Sequence, residues 1–144
     1  MPGSAGSPPP SRTARALGAA GLIPFVGGAL ALWGGAAVAP ALSAYAATIV
    51  SFLGGIHWGL AARRGGADAL LAWGVMPSLV AWVALLLPLP WALAVHAMAL
   101  IACYAVDRRV FPREGLSAWL PLRLRLTIVA ALSCAAGAAA LARA

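Results

Sequence analysis

Charged side chains are scarce in this sequence, and lysine is absent from it altogether. Only 9% of the 144 residues are charged, whereas soluble domains average about 25%. At the same time 63% of the residues are apolar, which is more than a globular core can use. The composition therefore excludes an ordinary soluble domain and predicts an integral membrane protein.

Cysteine is rare as well, and neither cysteine belongs to a paired motif. Cys103 and Cys134 lie in apolar runs, so a disulfide framework is not indicated. No cluster of cysteine, histidine and carboxylate has the spacing of a zinc site. The ten arginines give a net charge of +7, but they lie between apolar runs instead of forming a polar face, which argues against nucleic-acid binding.

Recognised catalytic and cofactor motifs are also missing. The serines lack a hydrolase motif, and the glycine clusters lie in apolar runs or short turns, where a phosphate loop does not fit. His57 and His96 differ in depth by about 14 Å in a bilayer core of roughly 30 Å, which disfavours one haem held by both. We therefore expect no cofactor, and the missing motifs favour a protein that is not an enzyme.

Five apolar runs make up most of the chain. They cover residues 17–38, 41–62, 69–87, 90–106 and 121–141, and a helix of about 20 residues crosses a bilayer core. Residues 1–13 are rich in proline, glycine and serine, which predicts a disordered tail. The predicted fold is an all-α membrane protein, a compact bundle of five transmembrane helices within residues 14–144. Pro24 and Pro77 are expected to bend the first and third helices.

The distribution of arginines predicts the orientation of the bundle. With the N-terminus inside, nine arginines lie on the inner side and only Arg143 lies outside; the nine are at positions 12, 15, 63, 64, 108, 109, 113, 123 and 125. Positive residues favour the inner side of a membrane. We predict the N-terminus inside and the C-terminus outside, in a bacterial inner membrane, or in the mitochondrial one if the source is eukaryotic.

Small residues form a stripe along the second apolar run. The stripe consists of Ala41, Ala44, Thr48, Ser51, Gly55, Gly59 and Ala62, at the spacing of one helix face. Gly21 and Gly28 belong to a similar stripe in the first run. Because small residues allow helices in lipid to approach closely, we expect Gly55 and Gly59 to pack against another helix, most simply the first one.

A few polar residues lie within or at the ends of the apolar runs. His57, Asp107 and either Arg123 or Arg125 can meet in the inner leaflet, where Asp107 ends one helix and the arginines begin the next. Asp107 at the end of one helix and an arginine at the start of the next are each unfavourable with respect to the dipole of their own helix. An ion pair between them would offset both unfavourable effects. The two arginines are about 200° apart on a helix, so at most one faces inward. The alternatives are a neutral structural histidine and arginines that reach the lipid headgroups.

Several segments resemble a known family. They are LGAAGLIPF (residues 17–25), SFLGGIHWG (residues 51–59), MPSLVAW (residues 76–82), the pair Asp107-Arg108 and LPLRLRLT (residues 120–127). Together they are similar to the family called domain of unknown function 3429, which includes bacterial membrane proteins and the eukaryotic transmembrane protein 69. The resemblance covers residues 16–133 and implies a membrane protein with several spans. It implies no activity.

Three functional hypotheses remain open at this point. The first is a non-catalytic scaffold or assembly protein, which the small-residue faces and the missing motifs favour. Its partners would be the lipid bilayer and another membrane protein. The second is a protein that binds a lipophilic ligand, such as a quinone or a lipid, around His57, with Ser51 as a further polar candidate. The third is a small-solute or proton transporter that uses His57 and Asp107.

Overall fold

The computed structural model describes residues 6–66 and 68–143, and every regular element in these ranges is helical. The helices are α1 (Arg12–Ala20), α2 (Ile23–Trp33), α3 (Ala39–Arg63), α4 (Asp68–Leu85), α5 (Leu89–Val110) and α6 (Leu120–Ala142). Two short 3₁₀ turns, Phe111–Glu114 and Ser117–Trp119, connect α5 to α6. Taking α1 and α2 as one segment, five helical segments of the described chain are long and apolar enough to cross a membrane. This confirms the predicted helical class and the predicted number of long apolar helices.

Prolines determine where several helices begin. Pro24, Pro40, Pro90 and Pro121 each lie in the first turn of a helix, where the missing N–H has no intrahelical partner to lose. Pro24 follows the break between α1 and α2, which interrupts the first helical segment where a bend was predicted. Pro77 lies inside α4 without ending it.

Some predicted boundaries were wrong by several residues. The helix of the first span ends at Trp33 instead of residue 38, and α5 continues to Val110 instead of residue 106. A glycine-rich stretch follows Trp33, and Gly35 has a φ of +86°, a conformation that a helix cannot contain. Hydropathy alone therefore placed the end of the first helix too late in the chain.

The segment before α1 is packed against the rest of the protein, in contrast to the predicted disordered tail. The Ser7 N–H donates to the Gly115 carbonyl oxygen at 2.7 Å, and Pro10 is buried. Ser11 caps α1 by accepting a hydrogen bond from the Ala14 N–H at 3.1 Å, as serine does at helix N-termini. The prediction thus fails for residues 6–13, and residues 1–5 lie outside the described part.

The five segments are arranged as a ring, with α3 and α5 making an additional contact across it. Around the ring α2 packs on α3, α3 on α4, α4 on α5, α5 on α6, and α6 on α2. The core between them consists largely of alanine and leucine, with Phe25 and Val50 as further buried members. Because α3 and α5 carry the most buried residues, polar groups on their inner faces lie in the middle of the bundle.

The small-residue stripe of α3 does not pack where it was predicted to. Gly55 and Gly59 are exposed, and a Cβ atom at either position would meet nothing within 4 Å. The close approach is made by the neighbouring Gly54, whose added Cβ would collide with the carbonyl oxygen of Gly74 on α4. A shift of one residue turns a helix face by about 100°, and alanine and glycine occur on both faces of α3.

The two glycines of the first helical segment contact α3. A Cβ at Gly28 would lie 3.1 Å from the Leu42 side chain. At Gly21 the carbonyl oxygen accepts a hydrogen bond from the Tyr45 hydroxyl at 2.8 Å. The first span therefore packs on α3, but on a different face from the one that carries Gly55.

The loops at one end of the bundle are joined by polar contacts, and this end is called the basic end here. Arg64 Nη2 lies 2.8 Å from Glu114 Oε1, which links the turn after α3 to the turn after α5. At the opposite end the Arg143 guanidinium lies 4.5 Å from the centre of the Trp33 ring. The end of α3, the end of α5 and the start of α6 thus share the basic end, and their arginines do as well.

Candidate functional site

Three charged or ionisable side chains meet inside the bundle near its basic end. Arg123 on α6 donates from Nε and Nη2 to Asp107 Oδ2 on α5, at 2.9 and 2.6 Å. His57 on α3 places Nε2 at 3.4 Å from Asp107 Oδ1. His57 is 0% and Asp107 1% exposed, while the Arg123 side chain is 11% exposed. These three residues are called the polar cluster below.

Helix ends explain why Asp107 and Arg123 face each other. Asp107 lies in the last turn of α5 and Arg123 in the first turn of α6, and a short connection of 3₁₀ turns brings the two ends together. A carboxylate at a helix C-terminus and a cation at an N-terminus are both unfavourable alone. Their ion pair offsets both effects and provides each buried charge with a partner.

The hydrogen bonds of His57 depend on which ring nitrogen carries a hydrogen. Nδ1 lies 3.3 Å from the Leu53 carbonyl oxygen, one turn earlier on α3, and a carbonyl oxygen can only accept. Nε2 faces a carboxylate oxygen, which also accepts when it is ionised. The Trp73 ring of α4 packs edge-on against the imidazole, with ring centroids 6.4 Å apart. The imidazole is therefore held between α3, α4 and α5.

The other polar residues predicted for this site lie outside the cluster. Arg125 is exposed on α6, as expected for a residue about 200° from Arg123. Ser51 is half-buried, about 120° around α3 from His57, and within the described part of the chain it forms no hydrogen bond to the cluster. The prediction of one inward arginine was therefore met by Arg123, while Ser51 is not part of the cluster.

An apolar cavity of about 540 Å³ adjoins the cluster on the side of Arg123. Its walls come from α1, α2, α3, α5, α6 and the turns that precede α6. Among the residues that line it, Arg123 is the charged one, and Thr127 follows it by one helical turn. The Thr127 hydroxyl is buried and has no hydrogen-bond partner. We call this space the Arg123 cavity.

Thr127 and Trp73 are parts of this site that the sequence did not reveal. The spacing of four residues between Arg123 and Thr127 places both on one helix face and was available as a signal. The packing of Trp73 on His57 depends on how α4 lies against α3, which the sequence pattern does not specify. Its Nε1 is buried without a partner.

A second cavity of about 550 Å³ lies between α4 and α5 and is called the α4–α5 groove here. Trp73, Met76, Trp91, Met98 and Cys103 line it. The side chains around it are apolar apart from the ring nitrogens of Trp73 and Trp91 and the Cys103 thiol, and no charged residue contributes to its walls. It thus resembles the Arg123 cavity in volume and differs from it in lacking a charged edge.

His96 is buried apart from the polar cluster. It is fully buried on α5, and neither of its ring nitrogens has a hydrogen-bond partner. It shares one face of α5 with Leu100, Cys103 and Asp107, at steps of four, three and four residues, and all four side chains are buried. In the described part of the chain no group of three histidine, cysteine or acidic side chains could hold a metal ion.

Comparison with known proteins places the chain in a family but assigns it no activity. No curated protein and no solved structure is significantly similar to it. Residues 10–139 match the family described as protein of unknown function (DUF3429), and this range includes all six helices up to the last turn of α6 and all three residues of the polar cluster. The chain therefore belongs to the DUF3429 family.

Proposed function

We propose that this protein binds a lipophilic molecule in the Arg123 cavity, with the polar end of the ligand at Arg123 and Thr127. The single observation that carries this proposal is an apolar space of about 540 Å³ that has Arg123 as the charged residue among its lining residues, with the buried and unpartnered Thr127 one turn along the same helix. Ligand sites in proteins typically combine apolar walls with a few placed polar groups.

The volume of the cavity limits the size of the ligand. About 540 Å³ falls in the range of roughly 300–1,000 Å³ that is typical of sites for one small molecule. A single-chain amphiphile or the head of a quinone fits this range. The walls contributed by Leu17, Phe25 and Leu126 would contact its apolar part.

The polar cluster supports this role by fixing the guanidinium. Because Nε and Nη2 of Arg123 both bind Asp107 Oδ2, the side chain is oriented before any ligand arrives, and Nη1 is left outside the ion pair. A pre-oriented donor costs less conformational entropy on binding than a mobile one. Arg123 thus acts as a fixed polar end for a cavity that is otherwise apolar.

Binding can be measured with deuterated stearic acid and with a short-chain quinone on protein in phosphatidylcholine nanodiscs. We expect saturable binding of at least one of them, near one molecule per chain. Ile49→Trp fills the Arg123 cavity and should abolish this binding. Val95→Trp makes a comparable change in the α4–α5 groove and should leave the binding unchanged. The proposal is contradicted if neither probe binds saturably, or if the two variants lose binding equally.

A second candidate function is assembly with another membrane protein through the exposed face of α3. Gly55 and Gly59 lie on this face with open space around them, and small residues four apart support close helix contact in lipid. Gly55→Leu together with Gly59→Leu should then reduce the assembled fraction in chemical crosslinking of native membranes without lowering the melting temperature of the chain. An unchanged assembled fraction would exclude this face as an interface.

We also propose that the basic end faces the cytoplasm of a bacterium, or the matrix in a mitochondrion. The nine arginines of this end, against Arg143 at the other, support this orientation because positive residues are retained on the inner side of a membrane. The Arg123 cavity would then lie in the inner leaflet.

A further inference from the structure

We infer that the α4–α5 groove and Arg109 together form a binding site for one anionic phospholipid, with an acyl chain in the groove and the headgroup phosphate at the guanidinium. This site is separate from the Arg123 cavity and does not depend on the function proposed for that cavity. It follows from one continuous face of α5, which is apolar along most of its length and charged at its end.

This face of α5 runs through the groove and ends at the basic end. The groove residues on it recur at steps of four, three and four and are Trp91, Val95, Met98 and Ala102, a spacing that places them on one side of the helix. The same steps continue through Ala105 to Arg109. The walls of the groove carry no charge, and Arg109 lies about 10 Å beyond Ala102, in the last turn of α5.

The groove is open toward the outside of the bundle. Trp91 is 68%, Met98 65% and Met76 49% exposed. On its inner side the groove is closed by the buried residues Pro77 and Cys103. If α4 and α5 span a bilayer, as their length and apolar composition allow, this opening faces the acyl chains of lipids.

The position of the groove along α5 suits a lipid from the leaflet at the basic end. Trp73 in the α4 wall packs against His57, whose Nε2 lies 3.4 Å from Asp107 Oδ1. Because Arg109 follows Asp107 by two residues, the groove begins close to the depth of Arg109. The distance along the helix from Arg109 to Met98 is about 16 Å, about half of a bilayer core of roughly 30 Å. One acyl chain of that leaflet therefore fits between these two residues.

Arg109 is placed to bind an anion. Its side chain is exposed, and the ion pairs among the described residues involve Arg64 and Arg123 instead. Other exposed arginines at the ends of α3 and α5 and in the following turn are Arg63, Arg108 and Arg113. The exposed acidic residue of this end is Asp68, at the start of α4. This excess of positive charge favours a lipid with a net negative charge over a zwitterionic one.

A phospholipid matches both parts of this face. Its acyl chain suits the apolar walls of the groove, and its phosphate accepts charge-assisted hydrogen bonds from a guanidinium. Basic residues beside transmembrane helices bind anionic headgroups in this way. A transmembrane helix of another chain would cover the groove but would bring no phosphate to Arg109.

Native mass spectrometry of the full chain in a mild detergent tests this inference. Phosphatidylglycerol and phosphatidylcholine with identical acyl chains are titrated separately, and the dissociation constant of the first bound lipid is measured for each. We expect phosphatidylglycerol to bind at least about fivefold more tightly, which corresponds to one arginine near an anionic group. Equal affinity for the two lipids would overturn the inference.

Two arginine variants locate the headgroup. Arg109→Gln should weaken the binding of the first phosphatidylglycerol about fivefold and change the binding of phosphatidylcholine little. Arg125→Gln removes the same charge from an exposed position on α6 and should leave both affinities unchanged. Equal losses in the two variants would mean that the basic end attracts anionic lipids diffusely, and the assignment to Arg109 would be wrong.

Two tryptophan variants locate the acyl chain. Ala102 is exposed in the groove, and Ala102→Trp should weaken the binding of both lipids at least about fivefold, because the indole occupies the place of the chain. Ala135→Trp makes the same change at an exposed position on α6 and should not weaken it. Unchanged lipid binding in Ala102→Trp, with the melting temperature retained, would contradict the inference.

The same spectra distinguish a lipid from other occupants of this face. Inorganic phosphate at millimolar concentration should not displace phosphatidylglycerol, and displacement would mean that Arg109 binds a free anion. A dimer of the chain that is lost in Ala102→Trp would mean that a second copy covers the groove. Either result would overturn the assignment of a phospholipid.

Discussion

At the residue scale, the ion pair of Asp107 and Arg123 is the part of the site that physical reasoning from the sequence predicted best. Two charges that oppose their own helix dipoles and flank one short connection have a strong reason to meet. The angular spacing also limited the inward arginines to one of the two. The choice of Arg123 over Arg125 depends on how α6 is turned towards α5, which no spacing rule provides.

The ion pair should be much more important for stability than the exposed Arg125. Asp107→Asn leaves the buried Arg123 charge without its counterion, which typically costs roughly 3–5 kcal/mol. The double variant Asp107→Asn with Arg123→Gln removes both charges and should recover a large part of this loss. Urea or thermal unfolding in a mild detergent, arranged as a double-mutant cycle, measures the coupling.

Arg125→Gln is the matched control for that cycle, since it removes the same charge two residues away from an exposed position. We expect no coupling between Arg125→Gln and Asp107→Asn. Additive effects of the Asp107 and Arg123 substitutions would mean that the ion pair contributes little.

At the scale of helices, α3 shows where sequence patterns reach their limit. Its extent was predicted within two residues at the start and one at the end. Its orientation was predicted wrongly, because a helix rich in alanine and glycine has no single small face. Gly54 was distinguished from Gly55 only by Gly74 and Pro77 on α4, and such long-range partners are not encoded in the periodicity of α3.

The observed orientation predicts opposite outcomes for two adjacent glycines. Gly54→Leu would force the side chain into the backbone at Gly74 and should destabilise the bundle by at least about 1–3 kcal/mol, as overpacking does. Gly55→Leu projects into open space and should change the melting temperature little. Thermal unfolding of the two variants in detergent compares them directly, and equal melting temperatures would mean that α3 is oriented differently.

At the scale of the whole molecule, the sequence predicted five helical spans and the grouping of the arginines at one end. These features follow from composition and from the alternation of apolar runs, which do not depend on packing detail. The Arg123 cavity could not be predicted, because its walls come from separate parts of the chain. It is lined by residues on both sides of the break between α1 and α2 and by residues of the turns before α6.

The proposed orientation can be tested with reporters fused to the full chain and within it. A phosphatase that is active only outside should be active after Arg143 and inactive when inserted between Glu114 and Ala118. Green fluorescent protein, which is fluorescent only inside, should show the reverse pattern. The positive-inside bias is the physical reason, and a phosphatase active at both positions would contradict an odd number of spans.

The account as a whole depends on whether a lipophilic molecule occupies the Arg123 cavity. The most direct measurement is photo-crosslinking with stearic acid that carries a diazirine, followed by mass spectrometric mapping of the labelled residues. We predict saturable labelling on the cavity walls, at Leu17, Phe25 or Leu126, which unlabelled stearic acid competes away and which Ile49→Trp abolishes. Labelling confined to the α4–α5 groove around Met98, or to lipid-facing residues without competition, would contradict the account.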